Sequence, residues 1–166
     1  MDDDLQEIRI RLDQYIHEEM DEYMNSARFE GNEVKAFKVV GQALLWVCSL
    51  DEFYLKNCRE YEEFRRDDDS SSVIKGIRYA RNRALHQFTQ LLFITEGAEL
   101  PAELPMPLFE IRWRLASDLP EPDQGYWNEK LEQCYKDSLQ NQSVRFTFDS
   151  LRGYFERASN AFREFT

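Results

Sequence analysis

The chain has 166 residues, of which 42% are hydrophobic and 14% aromatic, and its formal net charge is −11. This length suits one domain with a substantial hydrophobic core, and the apolar content excludes a disordered chain. The strong negative charge argues against a general nucleic-acid-binding protein, because such proteins present a basic surface to the phosphates. Only a local basic cleft is compatible with such a ligand.

The composition also predicts a single soluble, cytoplasmic domain over residues 1–166. No apolar run approaches the roughly 18 residues that a membrane-spanning helix needs. The N-terminus begins Met1-Asp2-Asp3-Asp4, which is acidic where a secretory signal is basic. The three cysteines form no CxxC pair and the chain has only two histidines, so we expect neither a metal nor another cofactor.

Apolar residues recur at helical spacing along most of the chain and predict an all-α, up-and-down bundle of about five helices. The predicted helices cover residues 4–28, 33–66, 73–95, 126–140 and 148–165. An Asp/Ser loop separates the second helix from the third. Ser72 and Thr147 are the predicted N-caps of the third and last helices.

A proline-rich insertion interrupts the helical pattern at about residues 96–125. All five prolines lie between Pro101 and Pro122, so this stretch is not a helix interior. Within it, charged side chains alternate with Phe109, Ile111, Trp113 and Leu115, a period of two that is typical of a strand. Two interpretations stay open: an extended loop over the bundle, or an arm that packs on a second protomer or borders a substrate groove.

The third predicted helix carries the candidate functional centre, the run Arg81-Asn82-Arg83-Ala84-Leu85-His86. The nine residues from Lys75 to Arg83 contain four positive charges and no acid, a local departure from the acidic composition. Lys75, Arg78 and Arg83 are therefore candidate substrate-binding residues, because such cations bind phosphodiester groups.

A helical wheel places Arg81 inside the apolar stripe of this helix. Its charge cannot be removed, and burying it without a partner is expensive. Arg81 must therefore extend to the surface or meet an acid. Asp51 and Glu52 on the second helix are the candidate partners, with Glu60 as a third.

Asn82 and His86 share the polar edge beside that stripe, four residues apart. An imidazole suits acid–base chemistry near neutral pH, and the amide of Asn82 is able to orient it or to contact a phosphate. A lone histidine on a helix is nevertheless more often a surface or interfacial group, and a few basic residues usually form a solvated face. Spacing alone leaves both interpretations open.

The motif Arg81-Asn82-x-x-x-His86 resembles the R-x4-H motif of HEPN domains, in the form with a polar residue after the arginine. The resemblance implies a metal-independent endoribonuclease, commonly a bacterial toxin or antiviral defence effector, whose active site is shared by two protomers of a homodimer. It also implies that His86 acts as general base or acid while the ribose 2′-hydroxyl attacks the adjacent phosphate. Arg81 would stabilise charge on that phosphate, and Asn82 would position either His86 or the phosphate.

The sequence is compatible with three interpretations. The first is this RNA-cleaving homodimer, with RNA as substrate and an antitoxin or inhibitor protein as a candidate partner. The second is a catalytically silent HEPN-like interaction or assembly module that binds a protein partner. The third is a plain helical bundle in which the motif is coincidental. None of the three involves a membrane.

Overall fold

The computed structural model of the chain describes residues 3–25, 33–87, 90–96, 109–123, 125 and 127–162. Within these residues the chain forms six α-helices, a two-stranded sheet and a short 3-10 helix at Ala116–Asp118. The helices are α1 (Asp3–Asn25), α2 (Glu33–Asn57), α3 (Tyr61–Asp67), α4 (Ser71–His86), α5 (Glu129–Ser138) and α6 (Val144–Ala161). The strands are β1 (Leu92–Glu96) and β2 (Phe109–Trp113). The predicted all-α bundle with a short β segment is confirmed.

The core lies between the apolar faces of α1, α2, α4 and α6. Its almost completely buried side chains include Ile16, Met20, Leu44, Leu50, Tyr54, Ile74, Ile77, Phe148, Leu151 and Phe155. Each buried side chain of this size contributes about 1.5–3 kcal/mol relative to leaving it exposed. In the described part of the chain, no helix is long and apolar enough to cross a membrane.

The strand predicted in the insertion is present and pairs with a strand that was not predicted. β2 runs antiparallel to β1, with Trp113 opposite Leu92. Trp113 is fully buried, and its indole N–H donates a hydrogen bond of 2.9 Å to Oγ1 of Thr147 on α6. The described part of the insertion therefore packs on its own chain.

The second predicted helix is two helices in the structure. α2 ends at Asn57, whose side-chain amide donates a 2.8 Å hydrogen bond to the carbonyl oxygen of Phe53. The chain turns at Cys58 and resumes as α3 at Tyr61, which is completely buried. After this break Tyr61 lies in the core.

The third predicted helix is too long at its C-terminal end. α4 ends at His86, and Leu92 begins β1 rather than continuing the apolar face of the helix. Both Leu91 and Leu92 are buried as expected. The prediction that these positions are buried was therefore correct, but the helical spacing assigned to them was not. The β-branched residues Ile94 and Thr95 favour the extended conformation here.

Both predicted N-caps are wrong. Ser70, not Ser72, occupies the N-cap position of α4. α6 begins at Val144, where the hydroxyl of Ser143 accepts a hydrogen bond from the backbone N–H of Arg145. Thr147 lies inside α6 and is buried, and its hydroxyl oxygen accepts the hydrogen bond from the indole of Trp113.

The remaining helix bounds differ by a few residues. α5 begins at Glu129, later than the predicted residue 126, and its N-cap Asn128 accepts a hydrogen bond from the N–H of Leu131. The predicted end of the first helix at residues 26–28 lies outside the described residues.

Two helical glycines provide a matched test of this packing. A Cβ at Gly76 on α4 would lie 2.7 Å from Cδ1 of the buried Leu139, whereas a Cβ at Gly41 on α2 meets nothing within 4 Å. We expect Gly76→Ala to lower the free energy of unfolding by about 1–2 kcal/mol, because overpacking outweighs the gain in helix propensity. Gly41→Ala is expected to raise it by about 0.5–1 kcal/mol. Urea denaturation of both variants measures the difference, and a stabilised Gly76→Ala variant would contradict the close contact between α4 and α5.

Candidate functional site

α4 carries the candidate residues and is held by helices on two sides. Small residues at four-residue spacing, Gly76, Ala80 and Ala84, are buried along one line of this helix. Gly76 lets α5 approach closely, with the carbonyl oxygen of Cys134 only 3.3 Å from where a Cβ would lie. Another face of α4 meets α2, and Arg78 and Arg81 lie there.

Arg81 is partly buried and contacts an acid, as the sequence requires. Its Nη2 atom lies 2.9 Å from Oε1 of Glu52 on α2, and 22% of its side chain is exposed. Of the acids considered as partners of Arg81, Glu52 is the one for which the structure shows an ion pair. On the other side Arg81 lies beside the thiol of Cys48.

Arg78, one turn earlier on α4, contacts both candidate acids. Its Nε lies 2.9 Å from Oδ2 of Asp51, and its Nη2 lies 3.5 Å from Oε1 of Glu52. The same oxygen of Glu52 therefore lies between the guanidinium groups of Arg78 and Arg81. Two arginines of α4 are thus linked by two neighbouring carboxylates of α2.

Asp51 is the buried centre of this arrangement, with no exposed surface. Nε of Arg65, on α3, lies 3.5 Å from its Oδ1, and the hydroxyl of Tyr61 donates to that oxygen at 2.9 Å. Tyr154 on α6 donates in turn to the hydroxyl oxygen of Tyr61 at 2.7 Å. Burial raises the pKa of Asp51 above its ordinary value, and the guanidinium groups of Arg65 and Arg78 oppose that effect.

We call Arg65, Arg78 and Arg81, together with Asp51 and Glu52, the arginine cluster. It brings three guanidinium groups against two carboxylates, so it carries an excess positive charge in a strongly acidic protein. Arg65 was not predicted to belong to this site, because its sequence position is near the end of one long predicted helix, next to an aspartate run. Its spacing of four residues from Tyr61 is the only signal that could have indicated a shared face.

Cys48 is not a reactive thiol. It is 2% exposed, and burial raises its pKa to about 11, although neighbouring Arg81 acts in the opposite direction. The thiol is therefore protonated at neutral pH and packs beside Arg81 as a small neutral group.

Two of the predicted substrate-binding residues do not join the cluster. Arg83 is 3% exposed, its Nη2 donates to the carbonyl oxygen of Pro120, and its guanidinium lies 5.7 Å from the ring centroid of Tyr79. This burial leaves Arg83 almost no surface open to a substrate, so nothing in its surroundings supports the predicted role. Lys75 lies near Cys134 of α5, away from the contacts of Arg78 with α2.

Asn82 and His86 lie at the C-terminal end of α4. Asn82 is partly buried, and His86 is the last residue of the helix. The side chain of His86 lies outside the described part of the structure, so its predicted role stays a prediction. Among the described residues, no group of three or more His, Cys, Asp or Glu side chains is arranged to hold a metal ion.

No family model, curated protein or solved structure matches the chain. The resemblance of α4 to the HEPN motif therefore depends on the residues of that helix alone.

The arginine cluster makes a prediction about stability. Asp51→Asn removes the buried charge and leaves Arg65 and Arg78 without their shared carboxylate, so we expect the free energy of unfolding to fall by about 2–3 kcal/mol at neutral pH. Asp67→Asn removes an exposed carboxylate that contacts Arg66 and is expected to cost less than about 0.5 kcal/mol. Denaturant titrations of the two variants compare these effects. Equal stabilities would show that the cluster does not join the helices.

Proposed function

We propose that this protein is a metal-independent endoribonuclease of the HEPN type, with a composite active site in a homodimer. The observation that carries the proposal is the arrangement of Arg78 and Arg81 on α4, next to Asn82 and one to two turns before His86. The arginines contribute a local excess of positive charge in an acidic molecule, on the helix that ends with a histidine, a residue type that suits proton transfer.

The proposed reaction forms a bond between the ribose 2′-oxygen and phosphorus and breaks the bond from phosphorus to the 5′-oxygen. A proton leaves the 2′-hydroxyl and another reaches the 5′-oxygen, which yields a 2′,3′-cyclic phosphate and a 5′-hydroxyl end. One imidazole cannot do both in a single displacement. Two copies of His86 at a twofold interface would supply a base and an acid.

Arg81 would stabilise the charge that develops on the phosphate, with Arg78 as a second cation beside it. Because 22% of the Arg81 side chain and 23% of the Arg78 side chain are exposed, both are within reach of a bound anion. Arg83 has no part in this proposal, and Lys75 remains a candidate only for more distant contacts with the strand. An antitoxin or inhibitor protein is a compatible partner, since the acidic surface favours a basic one.

The face of α2 and α4 around the cluster is suited to dimerisation. Leu85, one turn after Arg81, is 43% exposed, and Leu45, one turn before Cys48 and Ser49, is 40% exposed. Because α2 and α4 run antiparallel here, these two leucines lie at the same level of the bundle. Exposed leucines beside charges of both signs are able to pair with a second copy related by a twofold axis.

A second candidate function uses the same face without chemistry. Glu52 forms ion pairs with both arginines, and the neighbouring leucines are exposed. These features also suit a HEPN-like interaction or assembly module that binds a protein partner. In that case Arg81 and His86 would contribute to packing at the interface, and RNA would not be cleaved.

The decisive variant is His86→Ala. We expect wild-type protein to cleave total cellular RNA in EDTA, leaving cyclic-phosphate ends, and the variant to be slower by about 100-fold or more, since acid–base catalysis is lost. His17→Ala on α1 is the matched control, because it removes the other histidine of the chain, and it is expected to retain activity. Equal cleavage by His86→Ala and wild type would exclude the proposed role, and absence of cleavage in all three would favour the interaction module.

The proposed interface is tested separately with Leu85→Glu. A glutamate there replaces an apolar contact with a charge that must lose water on association and faces its copy across the twofold axis, so we expect the dimer to weaken by at least about tenfold in analytical ultracentrifugation. Phe146→Glu, at a residue of α6 that is 61% exposed, is the control and is expected to leave association unchanged. A wild-type protein that stays monomeric at all concentrations would exclude the composite site.

A further inference from the structure

We propose that Glu52 is a built-in competitor for RNA, whose carboxylate holds the position between Arg78 and Arg81 that a backbone phosphate takes when RNA binds. The identity of the ligand as RNA rests on the proposed function. The competition itself requires only an anion site, and it is testable without cleavage.

The geometry that supports this is a single oxygen shared by two cations. Oε1 of Glu52 lies 2.9 Å from Nη2 of Arg81 and 3.5 Å from Nη2 of Arg78. Glu52 contacts both guanidinium groups through one oxygen, whereas a phosphodiester can place a separate anionic oxygen against each of them. The pair of arginines is therefore already arranged for an anion of this kind.

The two acids of the cluster differ in how easily they can leave. Asp51 is completely buried and is fixed by Arg65, Arg78 and the hydroxyl of Tyr61, so it stays in place. The side chain of Glu52 is 55% exposed and its contacts are to the two α4 arginines. An exposed carboxylate regains water when it swings out, and the incoming phosphate takes over its contacts with the partly buried Arg78 and Arg81. Displacement of Glu52 is therefore inexpensive, whereas Asp51 keeps Arg78 oriented throughout.

The charge of the site changes with the position of Glu52. With both carboxylates in place, the three guanidinium groups of Arg65, Arg78 and Arg81 exceed them by one charge. When Glu52 turns outward, the excess next to the incoming phosphate is larger. The site is therefore weakly attractive until an anion arrives that can replace the carboxylate.

This competition selects for long polyanions over single anions. A free phosphate ion must displace Glu52 by its own affinity alone. A phosphate within an RNA strand is held near the site by contacts of its neighbours, so its effective concentration is high. Glu52 thus keeps small cellular anions out of the cluster at a modest cost in affinity for RNA.

The test is Glu52→Gln, with Glu156→Gln as the matched control. Both remove one negative charge and keep the shape of the side chain, but Glu156 lies exposed on α6 and is not part of the arginine cluster. The probe is a short fluorescent RNA with 2′-O-methyl groups, which binds as RNA but has no free 2′-hydroxyl for cleavage. Its affinity is measured by fluorescence anisotropy at one fixed ionic strength.

We expect Glu52→Gln to bind the probe about three- to tenfold more tightly than wild type, because a carboxylate next to the phosphate no longer opposes it. Glu156→Gln is expected to change the affinity by less than about twofold, because solvent and salt screen a distant exposed charge. In an Arg81→Ala background the gain from Glu52→Gln should shrink, since the two residues act through one contact.

Unchanged or weaker binding by Glu52→Gln would overturn the proposal, and so would an equal gain in Glu156→Gln, which would assign the effect to net charge. Cleavage assays with unmodified RNA separate this result from the proposed function. Tighter binding by Glu52→Gln supports the competitor role even if no variant cleaves RNA. Cleavage by the wild type with no gain in affinity removes the competitor role alone.

Discussion

The buried carboxylate of Asp51 is the interaction on which the arrangement of the helices around α4 depends. It belongs to α2, contacts Arg65 of α3 and Arg78 of α4, and reaches α6 through Tyr61 and Tyr154. A charge with no exposed surface is costly unless each neighbour is correctly placed. The same requirement that fixes the helices also fixes the direction of Arg78, so the fold and the candidate site share one constraint.

This arrangement explains how an acidic protein can carry a local excess of positive charge. The net charge of −11 describes long-range behaviour, which salt screens within about 8–10 Å under physiological conditions. Arg78 and Arg81 are only partly exposed, so their field is screened less and acts at short range on whatever contacts them. Capture of a polyanion would then depend on close fit at α4 rather than on attraction from a distance, which favours specific over general binding.

Periodicity in the sequence was sufficient to predict the helical bundle and the strand at Trp113, because hydrophobic spacing reflects which side is buried. It could not separate α2 from α3 at Asn57, since the apolar spacing continues across the break. It also assigned Leu92 to a helix, because an apolar residue is buried equally well in a strand. For the site, the charge on Arg81 indicated an acidic partner, whereas the burial of Arg83 depends on Pro120, far away in the sequence, and has no local signal.

The anchoring of β2 has an evolutionary consequence. Trp113 is fixed at three places: its ring lies in the core, its indole binds Thr147, and its backbone exchanges hydrogen bonds with the turn at Asn141 and Gln142. The register of the hairpin is thus held at its end next to the bundle, where β2 contacts α6 and the turn that precedes it. Relatives of this protein can therefore vary the other positions of the two strands while keeping the same bundle, provided that Trp113, Thr147 and the turn are retained.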